Sequence, residues 1–550
     1  MAIGSISSAN QNSHPAWMRY VLPSIGGLIF VVMFGLLVYT NLSVRLLSDA
    51  GIGWHIRTGQ LILATHTIPY VDSFSSGMAG RPWFAWEWLY DVVVGALNGA
   101  AGLNAVVVFT ALIIALTFSC TFRLLQRRGT NLIVALPLLL LAASASMIHF
   151  LSRPHVVSWF FTVLWFWILE SFEQGISLGG DDSRHRQSIR RLWLLPLSML
   201  LWVNLHGGFL LGFVLLAIYW ISAAWKWWTL KEGRFEDALQ KIETARRLST
   251  LTWAGILNAL ATLANPYGPH LHLHIYRYLT NHFLMDHIDE FQSPNFHYVA
   301  QKCFAVLLLL SIAALALKKR EARVSQILVV LFAVYSGLYA SRNIPVSSLL
   351  LILIIGPWLS DEMKNLAEQR SIIRAPQFFH RMNALDLSLR GHLWPMAAFA
   401  ATCWIAVVGK AGATQLISAH FPEQRFPVAA VDYLETHDAQ LAPDASVAMP
   451  VSIFSPDNWG GYFIYRLYPR MTVVIDDRHD FYGEEYLRAY LKTLHVAPGW
   501  QDFLHEQPAR YLVLPKDSAL ANILLVTADW RPLYRDDVAI VFTPTPAQPH

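Results

Sequence analysis

The chain has 550 residues, 55% of them hydrophobic and only 14% charged, with a formal net charge of +4. A soluble globular chain carries about 25% charged residues, so the composition excludes an ordinary soluble domain and points to a mainly helical polytopic membrane protein. The small net charge and the lack of a long basic block argue for no nucleic-acid partner, and Cys120, Cys303 and Cys403 stand far apart in apolar segments without metal-ligand spacing.

Residues 1–17 read as a mildly polar N-terminal tail. The apolar run from Tyr20 to Thr40 is longer than the core of a cleavable signal and reads as a first transmembrane helix. Eleven apolar stretches follow this rule in chain order: 18–41, 102–124, 131–148, 154–171, 192–205, 209–226, 250–264, 302–317, 324–340, 344–360 and 392–411. Basic residues orient them. With the N-terminus in the cytoplasm, the cytoplasmic segments and their helix ends hold 23 of the 41 basic residues. This bias predicts an N-in, C-out chain with an odd number of spans. The polar motifs "SDAGIGWHIRTG", "SRPH", "NLHGG", "NPYG", "DEFQSP" and "SRN" then all fall at outer ends of apolar runs.

The first outer loop, 42–101, is too long for a plain connector. Ile52, Ile56 and Leu63 share one side of a helix beginning near Gly53, which predicts a helix lying along the membrane surface. Pro69 stops it. Trp83, Trp86 and Trp88 then make an interfacial aromatic belt holding Glu87 and Asp91, and a second interfacial helix is predicted over about 86–99. After residue 411 the long apolar runs end. Strands are predicted at 445–451, 472–476 and 510–515, helices at 484–494 and 499–506, and a hairpin at 530–542 with Asp536 and Asp537 in its turn. The division is thus a tail (1–17), a transmembrane module (18–411) and an extracytoplasmic α/β domain (412–550).

Several polar residues stand out, each with a plainer alternative. Asp49, at the outer end of the first span, is placed to take a proton from a hydroxyl, since a carboxylate near hydrocarbon becomes a better base; it could equally be a solvated loop acid. Glu87 is an acid among aromatics at membrane depth, where charge is costly and often functional. Asp72 reads as a further acid or as an Asx turn. His55, Arg57, Arg153, His155 and Arg342 could bind a phosphate, which arginine holds bidentately; the alternatives are snorkelling to headgroups and interfacial packing. Asn204, His206, Asn265, Tyr267 and Glu290 are candidates for the pocket or an acceptor site, against roles in ending helices or as a solvated acidic face. His270, His272 and His274 lack a clear third metal ligand on one face, so no metal site is expected. In "VVIDDRHDFY" the cluster Asp476, Asp477, Arg478, His479 and Asp480 could cap a pocket, but internal pairing at a strand end is the simpler expectation.

The motifs "DAGIGWHIRTGQLIL", "IPYVDSFS", "RPWFAWEWL", "SRPH", "NLHGGFLLG", "LANPYG", "EFQSP" and "SRNIP", with an acid just beyond helix one and a C-terminal outer domain, resemble the GT-C superfamily of integral-membrane glycosyltransferases over about residues 18–545. The style is similar to RgtA/B/C/D-like transferases and the protein O-mannosyltransferase group. The resemblance implies a GT-C-like fold and an inverting transfer of a sugar from a polyprenyl-phosphate donor to a glycan, lipid or protein acceptor on the outer face. It implies Asp49 as base by position. Many members carry an acidic pair there, where this chain has Ser48-Asp49-Ala50, which leaves Asp72 or Glu87 as substitutes. Arg153 and Arg342 would hold the leaving phosphate. No cofactor is required, with a divalent cation left open. The alternative is a non-catalytic binder or transporter of a lipid-linked substrate, for which inverted repeats would be expected; none is visible.

Overall fold

The computed structural model describes residues 17–175, 182–230, 235–319, 321–369, 374–408, 410–411, 414–441 and 450–545. Most of the expected N-terminal tail and of the first C-terminal strand lie outside these residues.

Each of the eleven expected spans falls on a helix. Among the described residues, seven helices are long and apolar enough to cross a membrane, or up to eight if the bent pair Arg381–Ser388 and Leu393–Val408 counts as one span. Three expected spans differ. Leu194–Leu205 has 12 residues and Val324–Tyr339 has 16. The stretch at 250–264 is the apolar end of a longer helix, Phe235–Ala261, whose first half is charged. At about 1.5 Å per residue such helices are short for a bilayer unless neighbours cover their ends. At the centre, Ile344–Gln369 is buried without interruption from Ile344 to Gly356, as a helix apolar all round must be.

The first outer loop forms the helix Gly51–Thr65, ended by His66 in the left-handed conformation (φ 53°). It is packed within the protein. Ile52 and Ile56 are buried, but Leu63 is exposed. The helix is clamped between two others, because two glycines allow close approach: a Cβ at Gly53 would lie 2.0 Å from the Gly461 carbonyl, and one at Gly59 would lie 1.7 Å from that of Asp91. The second interfacial helix begins at Trp88 and runs on to Arg127, with a break at Ala101–Gly102 where Gly102 takes φ 61°. The loop limb and the following span are therefore one bent element.

The C-terminal region carries a five-stranded sheet. Its strands follow a short hairpin, β1 (Lys410–Ala411) and β2 (Thr414–Gln415). They are β3 (Val451–Phe454), β4 (Met471–Val473), β5 (Tyr511–Pro515), β6 (Trp530–Arg535) and β7 (Ala539–Pro544), in the order β4-β3-β5-β7-β6. β3 is parallel to β4 and β5, and β6 and β7 form the expected antiparallel hairpin. Helices Asp457–Leu467, His479–Leu494 and Gln501–Glu506 pack between them in sequence. The outer loop joins this sheet at its edge: Val473 N–H donates to Phe74 O (3.0 Å) and Ser76 N–H to Val473 O (2.9 Å). One hydrophobic core runs from the membrane helices through the loop into β3 and β4.

Candidate active site

The segment just after β4 reaches back to the helix ends. There the Arg153 guanidinium lies between two carboxylates. Its Nη2 is 2.7 Å from Asp49 Oδ1 and also pairs with Asp477 Oδ2. Asp49 additionally accepts from Gly51 N–H (2.8 Å), and Asp477 from Trp54 Nε1 (2.9 Å). Gly51 makes room for this junction, since a Cβ there would lie 2.6 Å from Asp477 Oδ2. Three segments distant in sequence therefore share one charge centre: the loop after the first span, "SRPH", and the C-terminal sheet. Burial raises Asp477 to about 6, against the pull of Arg153.

Beside this junction lies a cleft of about 670 Å³ lined by Trp54, His55, Trp83, Trp86, Glu87, Arg153, His155, His206, Tyr278, Glu290, Arg342, Asp477, Arg478 and Asp480. Glu87 has no short ion pair among the described contacts: His55 Nε2 is 3.8 Å from Oε2 and His206 Nε2 is 3.6 Å from Oε1. Burial pushes the Glu87 carboxyl up to about 8 and holds both histidines well below their ordinary value. Behind His55, Nδ1 meets Asp91 Oδ1 at 2.5 Å. The two glycines after His206 serve packing: a Cβ at Gly207 would lie 2.7 Å from the Trp86 ring, and one at Gly208 would lie 2.4 Å from Ser158 Oγ.

Across the cleft, Arg342 stands 3.7 Å from Glu290 and stacks on Phe291 at 4.6 Å. Burial would raise Glu290, but Arg342 and Arg153 outweigh it and hold the carboxyl at about 2. Arg342 also lines a second cavity, of about 1210 Å³, which opens from the first along Trp86, His155, His206 and Tyr278. Its remaining walls include Leu210, Leu211, Ile275, Leu279, Met285, Tyr339 and Val346. A polar cleft and an apolar groove thus share one wall, with a guanidinium at the join.

The other candidate residues are occupied elsewhere. Arg57 donates to Tyr465 O (2.9 Å from Nε) and Gln60 Oε1 (2.9 Å), tying the loop helix to Asp457–Leu467. Asp72 makes the Asx turn, accepting from Phe74 N–H (3.2 Å) and Ser75 N–H (2.9 Å), and pairs with Arg478 at 2.8 Å. Asn204 accepts from Trp88 Nε1 (2.7 Å) and donates to Ala264 O (2.9 Å). Asn265 caps its turn through Tyr267 N–H (2.8 Å), and the Tyr267 hydroxyl accepts from Ala85 N–H (2.7 Å). His272 bonds Thr262 and His274 bonds Asp480 (3.0 Å), so the histidine trio is dispersed. Among the described residues no three His, Cys, Asp or Glu side chains group closely enough to hold a metal ion, and the acids Asp49 and Asp477 are bridged by Arg153.

The C-terminal cluster does two jobs. Arg478 pairs internally with Asp476 at 2.8 and 2.7 Å, as the simpler expectation held, and lies over Trp83 at 4.7 Å. Asp477, Arg478 and Asp480, in the loop and first helical turn after β4, all line the cleft.

Searches for similar solved structures return the Archaeoglobus fulgidus oligosaccharyltransferase. With an acceptor peptide containing the NVT sequon tethered through a disulfide, it matches at a TM-score of 0.54 and 12% identity, over 89% of this chain and 68% of that one. In complex with an inhibitory peptide and a dolichol-phosphate, the values are 0.55, 11%, 89% and 69%. The chain has the GT-C fold. A further structure of that enzyme, a complex with Zn and sulfate, matches at a TM-score of 0.50 and 12% identity, over 89% of this chain and 68% of that one. No protein-family model and no curated protein sequence matches the chain. Identities this low speak for the GT-C fold alone, which carries many chemistries, so the function rests on the cleft.

Proposed function

We propose that this chain is a glycosyltransferase that moves a sugar from a polyprenyl-phosphate donor to a hydroxyl of a glycan, lipid or protein acceptor at the outer face of the bacterial inner membrane. The observation that carries the reading is the join at Arg342, where a polar cleft with a buried, uncharged acid meets a large apolar groove. Such a join suits a ligand with a charged head and a hydrocarbon tail. It supports a lipid chain in the groove and a phosphate at Arg342, with Arg153 close by. The division into a tail (1–17), a membrane module (18–411) and an outer domain (412–550) fits this reading, because the last contributes Asp477 and Asp480 to the cleft. N-in, C-out sidedness follows from the basic bias of the loops at the far end.

The reaction is a single displacement with inversion. Glu87 takes the acceptor proton, its raised value placing it near neutrality where a base works best. The acceptor oxygen bonds to the anomeric carbon while the bond to the lipid phosphate breaks, and the bonding pair leaves with the phosphate. Arginine stabilises that charge better in a water-poor cleft than in water. Asp49, expected as base by position, is held by Arg153 and Gly51 N–H, so Glu87 suits the role better. Asp49 and Asp477 orient Arg153.

The test is transfer by the full chain in lipid nanodiscs, offered a panel of radiolabelled polyprenyl-phosphate sugars and extracted membrane glycans. Transfer with inversion, abolished by Glu87→Gln but only weakened by Asp49→Asn, supports the reading. A chain that binds these lipids but releases no polyprenyl phosphate is a binder or transporter.

A further inference from the structure

The cleft contains more proton chemistry than a lone base needs. Around His206, hydrogen-bond directions fix the tautomer. Gly208 N–H donates to Nδ1 (3.0 Å). Trp202 Nε1 donates to Ser158 Oγ (2.7 Å), leaving that hydroxyl to donate to the same Nδ1 (2.7 Å). Nδ1 is thus an acceptor, and in the neutral ring Nε2 carries the hydrogen. Nε2 is the atom facing Glu87 Oε1, at 3.6 Å.

On the other side the pattern reverses. His55 Nδ1 sits 2.5 Å from Asp91 Oδ1, and Asp91 is fully buried. With Asp91 ionised, its oxygens only accept, and in that state Nδ1 carries the hydrogen and Nε2 presents a lone pair to Glu87 Oε2 at 3.8 Å. The other Asp91 oxygen has no hydrogen-bond partner. A half-satisfied buried carboxylate is costly and does nothing for packing that a leucine could not do. Its partner ring is itself pinned, 3.6 Å from the Trp54 ring and 5.3 Å from the Tyr90 ring.

We infer that Glu87, His55 and Asp91 form a proton relay, in which Glu87 passes the acceptor proton to His55 Nε2 as the His55 Nδ1 hydrogen shifts to Asp91, so that no buried imidazolium accumulates. His206 turns its Nε2–H towards the other Glu87 oxygen, 3.6 Å away. This rests on the transferase reading for the origin of the proton. The balance is simple. The acceptor O–H bond breaks and its hydrogen goes to ionised Glu87. Glu87 then yields a proton to His55 Nε2 as the Nδ1 hydrogen moves to Asp91, and the reverse shift returns one proton through His55 and Glu87 to solvent after the products leave. Asp91 touches no substrate; it is a positioning residue. The charged groups that face the unit are Arg153, Arg478, Arg342, Glu290 and Asp480.

Two readouts need no donor, so they stand apart from the fate of the transferase reading. In the full chain labelled with ¹⁵N-histidine in lipid, His55 should show a protonated Nδ1 and a bare Nε2, and His206 the reverse, each assigned with His55→Gln and His206→Gln. Finding both rings protonated at Nε2 overturns the relay, because no lone pair then faces Glu87. Infrared titration should show a neutral carboxyl band that is absent in Glu87→Gln and whose midpoint moves in Asp91→Asn; an unmoved midpoint also overturns it. With any donor that supports transfer, Asp91→Asn should lower kcat about 10²-fold and leave the donor KM within about twofold, since Asp91 makes no ligand contact. Unchanged kcat, or a loss confined to KM, overturns it. If no donor reacts, the transferase reading fails and the first two readouts still decide the relay.

Discussion

The helix His155–Gln174 has a cluster of buried charge at each end, and the two differ in kind. At its C-terminal end Glu170 is saturated. Its oxygens pair with Arg128 and accept from Arg323, Gln174 (2.6 Å) and the Tyr219 hydroxyl (2.7 Å), while Glu173 pairs with Arg323 and accepts from Ser325 (2.7 Å) and Ser222 (3.2 Å). At the other end Glu87 is 3.6 and 3.8 Å from its histidines, and Glu290 is 3.7 Å from Arg342. The first cluster joins four helices through short ion pairs and hydrogen bonds. The second surrounds a cleft with contacts that are long enough to be replaced. Buried charge acts as a fastener where it is satisfied, and as a site where it is not.

The comparison can be broken most forcefully at the saturated end. Glu170→Ala strands two arginines in the bundle and should cost about 3–5 kcal/mol, read as an early unfolding midpoint in detergent and low abundance. Glu87→Gln should do the opposite, lowering kcat by about 10²–10⁴-fold with the unfolding midpoint almost unmoved, because one neutral group replaces another. Arg342→Ala should raise the donor KM about tenfold through loss of a charge-assisted contact, with a smaller fall in kcat.

Acidity sharpens the contrast within the cleft. Glu87 is raised to about 8, so the folded state holds its proton more tightly than the unfolded chain; its contribution to stability is present at low pH and is lost as pH rises from its ordinary range through about 8. Glu290 is held at about 2, so its contribution is present at neutral pH and is lost as pH falls below the ordinary carboxylate range. Relative to wild type, Glu87→Gln should gain stability with rising pH and Glu290→Gln should gain it with falling pH, in parallel unfolding series. Activity should climb towards about pH 8 as Glu87 ionises. The smallest effect is expected at Arg57→Ala, which loosens the contact with Tyr465 and should shift unfolding by about 1 kcal/mol without a change in kcat.

Much of the site was legible because charge at the end of an apolar run is expensive and therefore conspicuous. Glu87, Arg153, His155, His206, Glu290 and Arg342 were each visible on that ground, and all line the cleft. Arg57 and Asp72 were equally visible and have other partners, since cost alone does not say which neighbour repays it. Asp477 was flagged only as part of a charged run. Its partner Arg153 is 324 residues away, a separation that no local pattern spans.

The order of apolar runs, the loop helix and the sheet strands followed from the residues alone, since hydrophobic period and turn chemistry are local. The bias of basic residues likewise set an expected sidedness. Two things depended on the tertiary structure: that the loop helix is held between two others, and that Arg153 is shared by Asp49 and Asp477. The reason is the same each time. Glycine contacts and ion pairs are settled by which surfaces meet, and those surfaces come from segments hundreds of residues apart.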